Sequence, residues 1–366
     1  MGIRKLATIA GVAAIIVAAC SSSGTATTAP ASGGASPGAA AVACKVGVSW
    51  NNYQEERWAK WDEPAIKAAL AAGGATYDSN DAKSSATTQA SNVETLIANG
   101  ANVIILLAQD GTAIKPAVTA AINAGVPVIA YDRLIEDPKV FYTTFDNVLV
   151  GNMQATEVFK AAPTGTYAVI KGNKADANAD FLRSGMEQVI GDAVKSGAIK
   201  IPAGNEVYTD NWDPKNAQTE MEQILTANNN KIDAVLSEND GMAGGVIAAL
   251  AAQGLAGKVP VSGQDGDAAA LNRVALGTQT VDVWKDARML GKTAGEAAVA
   301  LCKDKDTSKV AGAKPFTTPG GNTVSSILLK PDPITKANLK DVLDAGWITK
   351  DALCKDVKAG TVDVCG

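Results

Sequence analysis

The chain has 366 residues and not one histidine. That absence removes Ser–His and Cys–His nucleophile pairs, histidine general bases and histidine metal ligands together. Aromatic residues are scarce, at 5% of the chain. There is no basic footprint: a net charge of −5 argues against a nucleic-acid partner. No dinucleotide glycine fingerprint opens the first strand–helix unit. Gly291-Lys292-Thr293 looks like the end of a phosphate-binding loop, but Asp286 stands where its first glycine is required, and the segment reads as helix. Asp176, Asn178, Asp180 and Glu187 have calcium-loop spacing, yet Phe181 replaces the glycine that makes the sharp turn. The cysteine spacings match no zinc motif. No cofactor is expected.

The N-terminus reads as a targeting segment rather than as part of the fold. Arg4 and Lys5 precede an apolar stretch, Leu6 to Ala19, too short for a membrane span and suited to a signal peptide over residues 1–19. It ends in Val17-Ala18-Ala19-Cys20, which resembles the lipobox of bacterial lipoproteins and makes Cys20 the expected lipidation site. Residues 20–43 are rich in Ser, Gly, Thr, Ala and Pro and carry no charge, as a flexible tether would. Lipidation would hold the protein on the outer face of the cell membrane without spanning it. Four more cysteines remain, Cys44, Cys302, Cys354 and Cys365. Outside the cytoplasm an even number suggests disulfides, and four cysteines allow three connectivities. Cys354 with Cys365, neighbours in sequence, is the first choice, which leaves Cys44 with Cys302.

From Cys44 onward, short apolar runs alternate with helical periodicity, the pattern of an α/β protein with parallel sheets. The run Pro127 to Tyr131 ends abruptly in Asp132-Arg133, delivering an acid and a base to the carboxyl edge of a sheet, where open α/β folds bind ligands. One module occurs twice. Val103 to Leu107 leads through Asp110-Gly111 and a helix to Pro127-Val128 and Asp132; Ala234 to Ser237 leads through Asp240-Gly241 and a helix to Pro260-Val261 and Asp265. The pattern restarts at Val148, and no long linker separates the halves. We therefore expect two lobes facing one cleft: residues 44–147 plus 286–328, and residues 148–285 plus 329–366, joined by short crossings as in hinge proteins.

Polar and aromatic residues gather at the predicted strand ends: Arg57 and Trp58, Asp132 and Arg133, Asp146 and Asn147, Asn178 and Arg183, Trp212, Asn239 and Asp240, Gln264 and Asp265, and Trp284 and Lys285. Asp, Asn, Arg and Lys satisfy the hydroxyls of an uncharged polyol as donors and acceptors, and an aromatic face covers the C–H side of a sugar ring. A glycosidase would need a carboxylate pair, for which Asp132 and Asp265 are available.

Glu56-Arg57-Trp58, Ala130-Tyr131-Asp132-Arg133, Phe145-Asp146-Asn147, Leu225 to Val235, Ser262-Gly263-Gln264-Asp265 and Gly277-Thr278-Gln279-Thr280 carry a specific resemblance. The chain is similar to the periplasmic sugar-binding proteins of ABC importers, and within them to the D-xylose-binding proteins, from about Lys45 to Leu343. The resemblance implies a type I periplasmic binding protein: two Rossmann-like lobes joined by a three-crossing hinge, monomeric, closing on one pyranose and serving an importer permease. It puts Arg57, Arg133, Asn178, Arg183, Asn239, Asp265 and Lys285 in hydrogen-bonding roles and Trp212 in ring stacking, with Asp132 and Trp58 as further pocket members. The alternatives are glucose, arabinose or ribose in the same pocket. A transcriptional repressor of the same fold would need an N-terminal DNA-binding helix pair, where this chain has a signal and tether. The loop Asn51 to Glu55, the segment Asn173 to Asp176, and Trp284 in place of a tyrosine depart from the family pattern and bear on the choice of sugar.

Overall fold

The computed structural model describes residues 44–366. The signal peptide, Cys20 and the tether lie outside them. A seven-stranded sheet runs, in spatial order, Lys314–Thr317, Thr323–Leu329, Phe141–Phe145, Val128–Tyr131, Val103–Leu106, Lys45–Trp50, Thr76–Asp81. The strand Val103–Leu106 is central and wholly buried, and its alternation divides the core. Val103 and Ile105 pack with Ile66, Leu70, Leu290 and Ala294 from the helices Glu63–Ala72 and Ala287–Lys303. Ile104 and Leu106 meet Val93, Leu96, Val118 and Ala121 from the helices Ala86–Ala98 and Lys115–Asn123 on the opposite face. Successive strand residues point to opposite faces, so a continuous apolar run is what a sheet covered on both sides requires.

The second sheet is built around Gly165–Lys171, which pairs in parallel with Ile199–Lys200, Glu206–Tyr208 and Ala234–Ser237. A bridge from Val235 to Val261 connects it to Ser262–Gln264, Val281–Trp284 and Asp332–Ile334. Ala155, Val158, Met186 and Ile190 cover Tyr167, Val169 and Leu236 on one face. Met221, Ile224, Val246 and Leu250 cover Ala168, Ile170 and Val235 on the other. The helices Asn147–Ala161 and Ala177–Lys195 touch backbone to backbone: a Cβ on Gly151 would lie 1.9 Å from Leu182 O, and one on Gly185 1.9 Å from Val148 O.

The chain passes between the two sheets three times, at Asp146, at Lys285-Asp286 and at Lys330-Pro331. The first two crossings end in helix caps, with Asp146 accepting from Leu149 N and Asp286 from Arg288 N. The second lobe also holds the C-terminal segment, where Val342, Trp347, Ile348 and Leu353 pack on Leu271 and Val274. Cys44 is bonded to Cys302, tying the first strand to the helix Ala287–Lys303, and Cys354 is bonded to Cys365. No helix among the described residues is long and apolar enough to cross a membrane.

The structure departs from the sequence reading in four places. Two outer strands are antiparallel, Lys314–Thr317 on Thr323–Leu329 and Asp332–Ile334 on Val281–Trp284. The first follows because a short turn can join only antiparallel neighbours. The strand of the second module begins after Pro260-Val261 rather than on them, at Ser262–Gln264. An unexpected helix, Ala268–Leu276, follows it and ends at Gly277 with φ +86°. Finally, Leu329 pairs with Phe145 in the first sheet, one residue beyond the expected lobe boundary.

Candidate ligand-binding site

Strands from both sheets present their carboxyl ends to one narrow cavity between the lobes. From the first sheet come Glu55, Arg57, Trp58, Asp132 and Arg133; from the second lobe come Asp176, Asn178, Trp212, Asn239, Gln264, Asp265 and Lys285.

Arg57 is the centre. Its guanidinium is 1% exposed and forks onto Asp62, with Nε 3.0 Å from Oδ2 and Nη2 2.8 Å from Oδ1. The remaining nitrogen, Nη1, lies 3.3 Å from Asp132 Oδ2 and 3.3 Å from Asp265 Oδ1. Tyr131 donates its hydroxyl to Asp62 from behind. Burial alone would lower the Arg57 pKa, but the surrounding carboxylates of Asp62, Asp132 and Asp265 hold it well above the usual value. Burial pushes Asp62 up to about 6 against the opposing pull of Arg57. Asp132 and Asp265 end the two copies of the repeated module, and both have left-handed backbone, with φ 62° and 108°. Such conformations in non-glycine residues cost about 1–3 kcal/mol each and collect at functional sites. The two carboxylates that a glycosidase would need thus both turn onto one guanidinium nitrogen.

A second set of charges sits beside the first. Arg133 Nε lies 3.0 Å from Asp176 Oδ2, and its Nη1 donates to Ala108 O at 3.2 Å. Asp176 is buried, which raises its pKa while Arg133 pulls it down. Asn178 Nδ2 donates to Asp132 O across the cleft at 3.2 Å. Lys285 Nζ is 3.4 Å from Asp265 Oδ1. Asn239 caps the helix Asp240–Ala252 by accepting from Met242 N at 2.9 Å. Trp58 donates to Glu55 Oε2 at 2.7 Å while the Arg57 guanidinium lies 4.4 Å from its ring centroid. Loss of solvent raises the Glu55 pKa, opposed by the charge of Arg133.

A glycine lies against one face of the Trp212 ring. A Cβ on Gly172 would fall 2.1 Å from its Cζ2, so only glycine lets the ring occupy this place. Among the described residues, Trp212 Nε1 and Gln264 Oε1 are buried without a hydrogen-bond partner in the protein. Buried polar atoms are nearly always bonded, so such atoms in the walls of a cavity point to a ligand with hydroxyls.

The cavity brings together nine of the ten predicted ligand-binding residues. The exception is Arg183, whose Nε lies 3.2 Å from Glu206 Oε1 and whose Nη1 lies 2.9 Å from Glu187 Oε2. It follows Asn178 by five positions on the same helix, a rotation of about 140°, which turns it away from the face Asn178 presents. Glu55 and Asp176 were missed as lining residues. Asp176 is the N-cap of the helix Ala177–Lys195, accepting from Asn178 N, a signal legible in its position before the helix. Trp284 also lies elsewhere, edge-on to Trp347.

Behind the Asp265 loop lies a buried carboxylate pair. Asp240 Oδ2 accepts from Gly266 N at 3.1 Å and Asp267 N at 3.0 Å, and Asp282 Oδ1 accepts from Gly266 N at 3.1 Å. Burial, and then the Asp282 charge, push Asp240 well up; burial likewise pushes Asp282 up. The folded protein keeps a proton here that the unfolded chain releases near pH ~4. More protons bound in the native state means that this contribution falls as pH rises from about 4 through neutrality. Asp282→Asn should therefore flatten the decline in stability between about pH 5 and pH 8, measured by urea denaturation at each pH. An unchanged slope would show that the pair does not share a proton.

The sequence profile of the periplasmic binding protein domain matches residues 46–306. This chain belongs to the periplasmic binding protein family. Among members of that family, the D-xylose-binding periplasmic protein of Escherichia coli is 39% identical over 300 residues, covering 82% of this chain and 89% of the relative. The multiple sugar-binding periplasmic receptor of Rhizobium radiobacter is 32% identical, covering 87% and 94% of the two chains. A carbohydrate transporter solute-binding protein from Chloroflexus aurantiacus, solved in complex with D-glucose, superposes with a TM-score of 0.77 at 30% identity, covering 86% of this chain and 98% of that one. The two-lobed, three-crossing architecture described above is that of this family's type I fold.

Proposed function

We propose that this periplasmic binding protein is the extracytoplasmic receptor of an ABC importer, that it captures D-xylose in the cavity between its lobes, and that it hands the sugar to a membrane permease. In this reading Cys20 carries a lipid and residues 20–43 tether the receptor to the membrane. The observation that carries the reading is the lining of the cavity: three cations and four carboxylates, arranged in pairs around two tryptophans. The site is narrow and almost wholly polar apart from the two rings, as a pocket for a small polyhydroxylated ligand requires. The paired charges offer donors and acceptors to neighbouring hydroxyls without calling for a charged ligand. The similarity to the D-xylose-binding protein named above favours a pentose over the hexoses.

Both lobes contribute polar groups, so a bound sugar bonds to both only when the cleft is closed. Its differential contacts then shift the hinge equilibrium towards the closed form, which the permease reads.

The test is isothermal titration calorimetry of a protein starting near Ala43 with D-xylose, glucose, arabinose and ribose. The expected result is tight one-to-one binding of xylose. Preference for another of the four would move the specificity to that sugar and leave the receptor role, and no heat with any of them would sink the monosaccharide reading.

A further inference from the structure

Trp212 is held from an unexpected direction. Asn211 and Trp212 are consecutive non-glycine residues with left-handed backbone, φ 57° at each. Two left-handed residues in a row are disfavoured, so something must hold them. Their own lobe supplies two turn bonds, Trp212 N to Thr209 O and Asp213 N to Asp210 O, each 3.2 Å, and the opposite lobe supplies the rest. Gln54 Nε2 donates to Asn211 O at 3.3 Å and to Trp212 O at 3.2 Å, and Gln109 Nε2 donates to Asn211 Oδ1 at 2.8 Å. Neither glutamine lines the sugar cavity.

Gln109 is set for this task by its own neighbours. Its backbone N donates to Gln89 Oε1 at 2.7 Å, and Gln89, fully buried, donates to Leu107 O at 2.8 Å. Its Oε1 accepts from Asn51 Nδ2 at 3.4 Å. An amide whose oxygen is engaged behind must turn its NH2 group outward, here across the cleft onto Asn211. Asn51 and Gln54 belong to the loop whose sequence departs from the family pattern.

We propose that Gln54 and Gln109 are positioning residues that fix Trp212 from the facing lobe, so that its ring is set for stacking only when the cleft is closed. The inference rests on the sugar-receptor reading. It makes closure and stacking one event: in the open form the turn at Asn211-Trp212 keeps its own two backbone bonds and loses the three from the facing lobe. The latch should therefore act on the rate at which sugar leaves rather than on its capture.

The experiment compares the wild type with Gln54→Ala, Gln109→Ala and the double variant. A further variant, Gln109→Glu, keeps the size and the acceptor for Asn51 but cannot donate to Asn211. Stopped-flow kinetics with D-xylose should show the dissociation rate of the double variant raised by about ten-fold or more, with the association rate nearly unchanged. In a Trp212→Ala background the same changes should have little further effect, because the ring they position is gone. Unchanged dissociation, or an equal fold-change in both backgrounds, would overturn the proposal. A second arm is hydrogen exchange of the segment Thr209–Asp213 at saturating sugar, where the cleft is closed: it should be faster in the variants than in the wild type. Equal exchange in the wild type and the variants would also overturn it. If the wild type binds none of the four sugars, the receptor reading fails and the proposal with it; if it binds and the variants behave as the wild type does, the proposal alone fails.

Discussion

Arg57→Ala should abolish sugar binding and destabilise the fold together. The guanidinium has three carboxylate neighbours, Asp62, Asp132 and Asp265, of which Asp62 is completely buried. Removing it strands these carboxylates, and breaking a buried ion pair by deleting one partner costs about 3–5 kcal/mol. The same deletion removes the one group that draws Asp132 from the first lobe and Asp265 from the second onto a common point. Affinity should fall by roughly a thousand-fold or more, since several charge-assisted hydrogen bonds of about 1.5–3 kcal/mol each are lost at once. Arg57→Lys separates the two effects. A lysine supplies the charge but not the planar fork that spans Asp62 with two nitrogens and leaves a third for the cleft. It should recover part of the stability and little of the binding, as read by urea denaturation and calorimetry on the same samples. Tight binding in the lysine variant would show that charge alone, and not the fork, organises the site.

Gly172→Ala should cost binding with a smaller effect on stability. The added methyl would lie 2.1 Å from Trp212 Cζ2 and 2.2 Å from Cη2, distances that real Cβ atoms do not adopt. Retreat of the backbone is opposed from behind, where Gly172 N donates to Glu238 Oε2 at 2.6 Å and Glu238 is itself fully buried. Burial holds Glu238 well above the usual carboxylate range, and the amide of Gly172 pulls it the other way. The ring must therefore move towards the cavity, which has little room to spare. Overpacking of this kind costs about 1–3 kcal/mol in stability. The loss in affinity should be larger, about a hundred-fold, because a displaced ring both loses its stacking and occupies the sugar's volume. Calorimetry on Gly172→Ala, with Trp212→Ala as the reference for a missing ring, checks this. Affinity above that of Trp212→Ala by more than about ten-fold would mean that the ring finds another way to stack.

Much of this protein is decided locally. The alternation of short apolar runs with helical segments is enough for an α/β fold, because a strand buried on both faces needs a continuous run and the covering helices need their own period. The repeated module ending in Asp132 and Asp265 places those residues at strand ends, since a run that stops in polar groups has to stop at a sheet edge. Arg57, Asn178, Asn239 and Lys285 are legible for the same reason. Asp176 and Asp146 are legible as helix caps, a role written in their position before an apolar period.

The tertiary structure decides the rest. Whether Asn178 or Arg183 faces the cleft depends on the rotation of one helix, and the local pattern is compatible with either. Asp62 carries no sign in the sequence that Tyr131 will bond to it from behind; that follows only when the strand ending at Tyr131 enters the sheet two places from the first. The antiparallel outer strands are set by where the chain re-enters each sheet. Asp132 and Asp265, 133 positions apart in the sequence, meet at one nitrogen of Arg57 because two sheets face each other across a closed hinge. Sequence fixes which residues reach the edge of a sheet, through periodicity and capping acting over a few residues. Which edges meet, and which side chains then share a proton, a charge or a ring, depends on long-range packing that no local pattern encodes.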